Sequence, residues 1–384
     1  MTRRTVSVAG AGLAGLTAAT ALAQRGFEVR VFERNETLRE FGAGIYLKDN
    51  SLPVLDALGI GERIATSGER LHQARIIDER QKVIVSRDVS TERLIVVLRS
   101  ELHNALREAA EKAGVEIVTS AAARAARPDG TLELADGSTV WSDLVIAADG
   151  VRSRIRESLG LTRSYRVLQD GATRLLIPRQ EENVAAEYWA GSRRIGIAPC
   201  SAELSYVFMI GPESDRRGTA VPVDREHWLA SFPHLEGLLG RITDDAGVHH
   251  VHEHVICKRW TAGRVAIIGD AAHAQPPNFG QGAGVAIASA WELARTVAES
   301  DDVEGRLLDW ERRTRPAADV VQKLTTLYSH AGYYWPQSAL KARARLFQGL
   351  SQIPATAHQW EFWWRGGTEA PLPRVEAGSR AVTR

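Results

Sequence analysis

The chain has 384 residues, of which 44% are hydrophobic and 25% are charged, a composition that can build a large globular core. Its 48 basic and 47 acidic residues leave a formal net charge of +1, so we expect neither nucleic acid nor a membrane as a partner. The two cysteines are far apart and form no CxxC pair, which argues against a disulfide framework or a structural zinc site.

The first predicted elements are a strand, a glycine turn, a helix and a second strand. Positions 6–9 are mostly apolar, an alanine- and leucine-rich segment spans about 14–25, and positions 28–33 have a strand pattern. This βαβ order is typical of nucleotide-binding domains. The opening apolar run is too short for a secretory signal, and no stretch approaches the roughly 20 apolar residues of a membrane span. We therefore predict a cytoplasmic protein.

Short strands and helices continue along the chain. Helical spacing is present at about 50–58 and 99–113, and strand patterns are present at 115–119, 121–140 and 144–148. From about 166 to 255 apolar and polar residues alternate, as in an antiparallel sheet. A buried strand at 265–268 and a helix at 284–300 indicate that the chain returns to the first domain, and residues 301–330 have a helical pattern with charged faces.

These elements predict an α/β fold with a Rossmann-like nucleotide-binding domain, an inserted and mostly antiparallel β-sheet domain, and a helical C-terminus. The nucleotide-binding domain is discontinuous and comprises residues 1–70, 95–165 and 255–300. The inserted domain, which we expect to bind the substrate, comprises residues 71–94 and 166–254. The C-terminal helical region comprises residues 301–384.

A GxGxxG sequence lies between the first strand and the first helix. Its glycines allow a tight turn, a close approach of the backbone to a pyrophosphate, and close packing of helix on strand. Glu33, eighteen residues after the last glycine, can accept hydrogen bonds from ribose hydroxyls. The alternative is a purely structural turn. The predicted nucleotide contacts are Gly10, Gly12, Leu13, Ala14, Gly15, Glu33 and Arg34.

Two further pairs of glycine and aspartate follow buried strands. Asp149 and Gly150 come directly after residues 144–148, and Gly269 and Asp270 come directly after residues 265–268. Alone, an Asp-Gly pair is more often an ordinary turn, and the second pair is ambiguous. In a binding site, these carboxylates can hold ribose or ribityl hydroxyls, and the next helix start offers free amides. That start contains Pro277, Gly280, Gln281, Gly282 and Ala283.

In this order and at these strand ends, the three motifs resemble those of aromatic-ring flavoprotein monooxygenases of the p-hydroxybenzoate hydroxylase type. The resemblance implies FAD as cofactor, NADH or NADPH as co-substrate and O2 as oxidant. It assigns residues 149–156 to both FAD and NAD(P)H, Gly44 to a loop beside the flavin, and Arg99 to the FAD phosphates or ribose. The alternative for Arg99 is a simple cation at a helix start.

Within that family the chain resembles the 2-methyl-3-hydroxypyridine-5-carboxylic acid oxygenases, and more loosely the 6-hydroxynicotinate and salicylate hydroxylases. The resemblance lies in residues 41–47, 170–179, 194–200 and 217–222. It implies that Arg194 binds a substrate carboxylate, that Tyr206 and Tyr46 contact ring heteroatoms, and that Pro277 lines the reacting edge of the flavin. The alternatives are a surface cation for Arg194 and a half-buried aromatic residue for Tyr206.

The implied reaction is hydroxylation of a small aromatic or N-heteroaromatic acid through a flavin C4a-hydroperoxide, with ring opening left open. In segment 71–82 the pyridine oxygenases place an aromatic side chain over the substrate, whereas this chain has His72 and Arg75. The identity of the ring therefore also stays open. The alternatives are an epoxidase or reductase of the same fold and a non-catalytic FAD-binding module. The absence of a WxWxIP sequence disfavours a halogenase.

Two clusters have other interpretations. His250, His252 and His254 share one face of a predicted strand, which makes a metal site conceivable, but we predict a solvated strand face and no metal. The aromatic cluster at 360–364 is predicted to pack on the chain's own body or on the partner in a homodimer. Membrane contact is the alternative for that cluster.

Overall fold

The computed structural model describes residues 3–38, 43–179, 182–243 and 247–333, with scattered positions from 335 to 349. The aromatic cluster at 360–364 and positions 41–42 lie outside the described residues. The predicted fold class is confirmed, because a Rossmann-like sheet, an inserted and mostly antiparallel sheet and a long helix beyond residue 300 are all present.

The Rossmann-like sheet is built from three separate stretches of chain. Its strands are β1 (Thr5–Ala9), β2 (Glu28–Phe32), β8 (Glu116–Val118), β12 (Leu144–Ala147), β18 (Thr261–Ala262) and β19 (Val265–Ile267). Their spatial order is β18-β19-β12-β1-β2-β8, and every pair is parallel except β18 with β19. Since β1, β12 and β19 are adjacent and parallel, the three motifs that follow them lie at one edge of the sheet.

Three helices of this half pack together. They are α1 (Leu13–Ala23), α4 (Arg99–Lys112) and α9 (Gly282–Ala298), and α1 contacts both α4 and α9. Its leucines Leu16 and Leu22 are fully buried, because α1 is apolar around its whole circumference and must be covered on every side. The helix that follows the first motif is therefore held firmly above the sheet.

The inserted sheet lies beside the Rossmann-like sheet. Its strands are β5 (Gln73–Ile77), β6 (Val83–Asp88), β13 (Thr162–Pro178), β14 (Val184–Ala190), β15 (Arg193–Pro199), β16 (Leu204–Pro212) and β17 (Val248–Cys257). Their order is β17-β13-β16-β15-β14-β5-β6, and only β14 with β5 is parallel. One face packs on the short helices α6 (Arg225–Leu229) and α7 (Glu236–Leu239), around Trp228 and Phe232. Because side chains alternate along a strand, the opposite face carries Arg194 and Tyr206.

Smaller elements connect the two halves. A sheet of β3 (Gly44–Leu47), β7 (Ile95–Leu98) and β4 (Glu69–Arg70) places β3 against both β16 and the turn at 278–280. A meander is formed by β9 (Ala123–Ala126), β10 (Thr131–Leu134) and β11 (Thr139–Trp141). The other helices are α2 (Leu52–Ala57), α3 (Gly61–Ser67), α5 (Arg154–Ser158), α8 (Asp270–His273) and α10 (Val303–Tyr333). Within the described part of the chain, no helix has the length and apolar content that a membrane span requires.

Candidate active site

The glycine turn between β1 and α1 leaves no room for side chains. Gly10 has a φ of +104°, and a Cβ there would lie 2.4 Å from the Ala148 carbonyl oxygen. A Cβ on Gly15 would lie 2.0 Å from the Gly10 carbonyl oxygen. Gly12 is the N-cap of α1, whose first residues are Leu13 and Ala14. The backbone of β12 and the start of α1 therefore touch this turn directly.

Glu33 lies at the end of β2 and is tied to the glycine turn. Its Oε2 accepts a 2.9 Å hydrogen bond from the Ala11 backbone N–H, and its Oε1 accepts one of 3.0 Å from the Asn35 backbone N–H. The Asn35 side-chain Nδ2 also donates to Oε1, at 2.8 Å, so Oε2 is the oxygen that keeps a second lone pair, which suits a ribose hydroxyl. The neighbouring Arg34 is exposed at the same edge of the sheet.

His103, which the sequence analysis did not identify, holds the other side of the turn. Its Nε2 lies 2.8 Å from the Ala11 carbonyl oxygen, and its ring is buried. The available signal was a histidine on the apolar face of α4, next to Leu102 and Leu106. Sequence alone does not separate such a residue from an ordinary core histidine.

The pair Asp149 and Gly150 forms the turn after β12. Gly150 has a φ of +86°, and burial raises the pKa of Asp149. The Asp149 Oδ1 atom is buried and has no hydrogen-bond partner among the described residues. Because buried polar atoms are normally satisfied, this oxygen is suited to the hydroxyl of a ligand.

Arg156 connects the turn after β12, which contains Asp149 and Gly150, to helix α8, which begins at Asp270. It is fully buried, and its Nη1 donates to the carbonyl oxygens of Val151 at 2.9 Å and Ala271 at 3.0 Å. Val151 belongs to the turn that follows β12, and Ala271 belongs to α8. A single side chain therefore fixes the distance between two parts of the site.

Replacing Arg156 with leucine is expected to lower the free energy of unfolding by about 2–4 kcal/mol, because two buried carbonyl groups lose their donor. Chemical denaturation of the cofactor-free protein measures this change. The matched control is Arg152→Leu in the same turn, whose side chain is 79% exposed and pairs with Glu253, and which should cost under about 1 kcal/mol. Equal stability of the two variants would contradict this role for Arg156.

The motif of Gly269 and Asp270 packs on the glycine turn between β1 and α1. Gly269 has a φ of +60°, and a Cβ there would lie 2.9 Å from the Ala14 Cβ. Asp270 begins α8 and is exposed, with its carboxylate at the same edge of the sheet as Asp149. The structure therefore brings together all three motifs predicted from the sequence.

A tight turn after Pro277 leads into α9. Phe279 and Gly280 have φ values of +62° and +58°, and a Cβ on Gly280 would lie 2.9 Å from the Tyr46 Cβ. The buried Gln281 accepts a 3.0 Å hydrogen bond from Asn50 Nδ2. Both contacts attach the turn to β3 and the segment that follows it.

Open space remains beside the start of α9. A Cβ on Gly282 would meet no atom within 4 Å, and Ala283 is half-buried. The first N–H groups of a helix have no partners within the helix, and this end carries a partial positive charge. The start of α9 is therefore suited to a polarised oxygen of a flat ring lying beside Gly282.

Tyr206 connects the inserted sheet to β3. A Cβ on Gly44 would lie 2.6 Å from the Tyr206 Cβ, and the rings of Tyr46 and Tyr206 have centroids 6.4 Å apart in an edge-on arrangement. Phe208 extends this aromatic face, 5.8 Å from Tyr206 between centroids. Burial raises the pKa of both tyrosines, so their hydroxyls stay protonated and can donate hydrogen bonds.

Arg194 is buried, so the alternative of a surface cation is wrong. Its side chain is 3% exposed, and its Nη1 donates to Glu187 Oε1 at 3.3 Å. The guanidinium lies over the ring of Tyr328, 5.2 Å from the centroid. Its Nη2 has no hydrogen-bond partner among the described residues. Arg194 therefore keeps one free donor edge, but Glu187 balances its charge.

A second group of cations lies near Tyr206. Arg174, which pairs across β13 and β16 with Phe208, lies beside the Tyr206 hydroxyl, and both its charge and that of Arg99 oppose the rise in the Tyr206 pKa. His250 is close to both arginines: its ring is partly shielded from solvent, and this shielding and then neighbouring charges, among them those of Arg174 and Arg99, lower its pKa. The sequence analysis missed Arg174. The structure thus places Arg99 where its charge acts on Tyr206, on the sheet face that also carries Arg194.

Comparison with known proteins decides the family. A family model described as an FAD binding domain matches residues 3–324. This chain belongs to that FAD-binding family. It is 38% identical over 335 residues to the 2-heptyl-3-hydroxy-4(1H)-quinolone synthase of Mycobacteroides abscessus, covering 84% of this chain and 88% of that one. It is 30% identical over 305 residues to the 3-amino-4-hydroxybenzoate 2-monooxygenase of Streptomyces cremeus, covering 73% and 75%.

A solved structure supports the same conclusion. The tetrameric form of 2-methyl-3-hydroxypyridine-5-carboxylic acid oxygenase superposes with a TM-score of 0.83 and is 34% identical, covering 93% of this chain and 95% of that one. The predicted membership of the flavoprotein aromatic hydroxylases is therefore confirmed. The chain is an FAD-dependent monooxygenase of the aromatic hydroxylase family, and its class is that of an oxidoreductase.

The residues present fit FAD. Gly10 and Gly15 leave backbone that a pyrophosphate can approach, and Glu33 can accept from a ribose. The unpartnered Asp149 oxygen and the exposed Asp270 carboxylate follow β12 and β19, at the same edge of the sheet as the glycine turn, and can accept hydrogen bonds from ribityl hydroxyls. The open space at the start of α9 has the polarity that the flavin ring's carbonyl oxygens require.

The prediction of a solvated histidine face is wrong for two of its three residues. His252 and His254 are buried, because the face that carries them is turned toward Arg194 and toward His330 of α10, and of the three only His250 is exposed. His252 Nδ1 lies 3.1 Å from the buried Asp170 Oδ2, and burial lowers the pKa of His252. Across the described ranges, no three or more histidine, cysteine, aspartate or glutamate side chains are grouped to hold a metal.

Lys48, at the end of β3, is buried with 4% of its surface exposed. Burial and then the charge of Arg87 lower its pKa to about 7 from 10.5, against the opposing effect of Glu92. Between these pKa values the unfolded chain binds more protons than the folded one, so stability should rise with pH. We expect a slope of up to about 1.4 kcal/mol per pH unit.

The measurement is chemical denaturation of the wild-type protein and of Lys48→Met between about pH 7 and about pH 9, with the slope attributed to this lysine by difference. Lys48→Met should lack the part of the increase in the free energy of unfolding that Lys48 contributes. Identical slopes in the two proteins would show that Lys48 keeps an ordinary pKa in the folded state.

Proposed function

We propose that this enzyme hydroxylates an N-heteroaromatic ring that carries an ionisable oxygen, such as a hydroxypyridine carboxylate, using NADH or NADPH and O2. One observation carries the proposal: Arg194 and Tyr206 share one face of the inserted sheet, and Tyr46 joins that face to the turn beside the flavin position. The similarity to 2-methyl-3-hydroxypyridine-5-carboxylic acid oxygenase supports the substrate class. The proposal concerns the hydroxylation and makes no claim about ring opening.

Each residue on this face has a physical role in the proposal. FAD, when bound and reduced by the nicotinamide, supplies the oxygen chemistry. Arg174 and the protonated hydroxyl of Tyr206 hold the ring oxygen, and the positive charge favours its ionised, electron-rich form. Tyr46 donates to a second ring heteroatom. Phe208 and Pro277 line the site with apolar surface that excludes water.

A second substrate class is the 2-alkyl-4(1H)-quinolones, which the name of the Mycobacteroides abscessus relative suggests. The observation that favours it is the pairing of Arg194 with Glu187. A substrate carboxylate at Arg194 would have to compete with Glu187, whereas the carbonyl oxygen of a neutral quinolone can accept from the free Nη2. The two classes therefore differ in how they use Arg194.

The test is to load the purified protein with FAD and to measure NADH and NADPH oxidation with hydroxypyridine carboxylates, salicylate, 6-hydroxynicotinate and 2-alkyl-4(1H)-quinolones. We expect one class to stimulate oxidation and to yield a hydroxylated product. Tyr206→Phe should reduce this stimulation by about 10- to 100-fold. The control is Tyr165→Phe on the exposed part of β13, which should retain it. Failure of every ring compound to stimulate oxidation would refute the proposal.

We also propose that the enzyme is cytoplasmic and self-associates. Both cysteines are free and buried, which accords with a reducing compartment. The solved relative is described as tetrameric, and α10 exposes Leu308, Val320 and Leu327. Light scattering of the FAD-loaded protein tests the assembly, and a monomeric mass at high concentration would refute it.

A further inference from the structure

The turn at residues 278–280, beside the proposed flavin position, contains a strained backbone conformation. Phe279 is not a glycine, yet its φ is +62°, in the left-handed region. Such a conformation costs on the order of 1–3 kcal/mol and persists only where neighbouring contacts impose it. The Lys48 Nζ donates a 2.6 Å hydrogen bond to the Phe279 carbonyl oxygen. Lys48 therefore donates a hydrogen bond to Phe279, the residue of this turn with the strained backbone.

Other contacts hold the turn from different directions. The Asn278 side chain donates to the Thr325 carbonyl oxygen and to Ser329 Oγ on α10, each at 2.8 Å. Gln281 is held by Asn50. Among these described attachments, that of Lys48 is the one that carries a charge. Lys48 can thus affect the turn electrostatically as well as mechanically.

The charges around Lys48 come from the inserted sheet. Arg87 of β6 and Glu92, in the segment between β6 and β7, form an ion pair with each other. Arg87 repels the ammonium of Lys48, and Glu92 attracts it. Lys48 is therefore placed between the sheet that carries the substrate face and the turn that leads into α9. In such a buried setting charges act over longer distances than in water.

We propose that Lys48 is a positioning residue for FAD: it holds the turn so that the amides at the start of α9 face the flavin ring, and its ammonium favours negative charge on the reduced ring. The charge adds to the positive end of the α9 dipole, and charges near the ring are a principal means by which a protein tunes a flavin. The proposal rests on the FAD position assigned above and requires no aromatic substrate.

The experiment compares wild type, Lys48→Met and Lys48→Arg, with Lys112→Met at the exposed end of α4 as the matched control. The readouts are the FAD dissociation constant from a fluorescence titration and the reduction potential of the bound flavin against a reference dye, at about pH 6 and about pH 9. Circular dichroism confirms folding. Because no ring compound is present, the result is independent of the substrate class.

At about pH 6 we expect Lys48→Met to weaken FAD binding by about tenfold and to lower the reduction potential, while Lys48→Arg and the control match wild type. At about pH 9, Lys48→Arg should have a higher potential than wild type, because an arginine stays charged where this lysine does not. A folded Lys48→Met with the wild-type potential at about pH 6 overturns the proposal. If that variant does not fold, equal potentials of Lys48→Arg and wild type at about pH 9 overturn it.

Discussion

FAD binding is expected to weaken by about 10- to 100-fold when Gly15 is replaced with alanine. The new Cβ would lie 2.0 Å from the Gly10 carbonyl oxygen, so the glycine turn and α1 must separate. Forcing an extra methyl group into a closely packed contact costs about 1–3 kcal/mol, which corresponds to that loss of affinity if the strain falls on the bound conformation. An FAD titration followed by flavin fluorescence measures the effect.

The matched control is Gly237→Ala in α7. A Cβ at that position would meet no atom within 4 Å, and alanine favours a helix more than glycine does. This variant should bind FAD as wild type does and be at least as stable. Wild-type affinity in Gly15→Ala would mean that the turn does not need the close contact seen in the structure.

Loss of Arg194 is expected to have the largest effect on turnover. Under the proposed function, Arg194→Gln should lower the kcat/KM of substrate-stimulated NAD(P)H oxidation by about 100-fold, since loss of a charged hydrogen-bond donor to the bound substrate costs about 1.5–3 kcal/mol. The variant leaves the Glu187 carboxylate, 20% exposed, without its cation, and it removes the stacking on Tyr328. Steady-state kinetics on FAD-loaded protein measures the change.

Arg193→Gln provides a control on the same strand. Arg193 lies on the opposite face, where it donates to Asp215 Oδ2 at 2.9 Å and lies over the ring of Trp228. Its replacement should lower the melting temperature and leave KM unchanged. The proposal that the sheet face with Arg194 and Tyr206 binds the substrate fails if Arg194→Gln retains the wild-type kcat/KM, or if both variants lose activity equally.

The cofactor half could be predicted from sequence because its chemistry is local. A glycine turn needs a positive φ or a close approach of other atoms within a few residues. Gly10 has a positive φ and lies against the Ala148 backbone, and Gly269 has a positive φ and lies against the Ala14 side chain. Parallel strands also place the turns after them at one edge of the sheet. The positions of Asp149 and Asp270 therefore followed from the strand pattern. The hydrogen bonds by which Arg156 connects their two turns did not.

The substrate half was predicted less completely because its contacts join distant parts of the chain. Strand alternation shows which residues share a face, but it does not show which face is covered. For this reason His252 and His254 were assigned to solvent, although the face that carries them is turned toward Arg194 and α10. The pairing of Arg194 with Glu187 and the contact of Lys48 with Phe279 depend on how separate elements meet, which periodicity does not encode.

Turnover under isotopically labelled O2 tests the central claim most directly. The FAD-loaded enzyme would be supplied with NADH or NADPH and each ring compound of the panel, and the products would be analysed by mass spectrometry. We predict that one ring compound gains one labelled oxygen atom for each nicotinamide oxidised. Oxidation of the nicotinamide that yields hydrogen peroxide and leaves every ring unchanged would contradict the account.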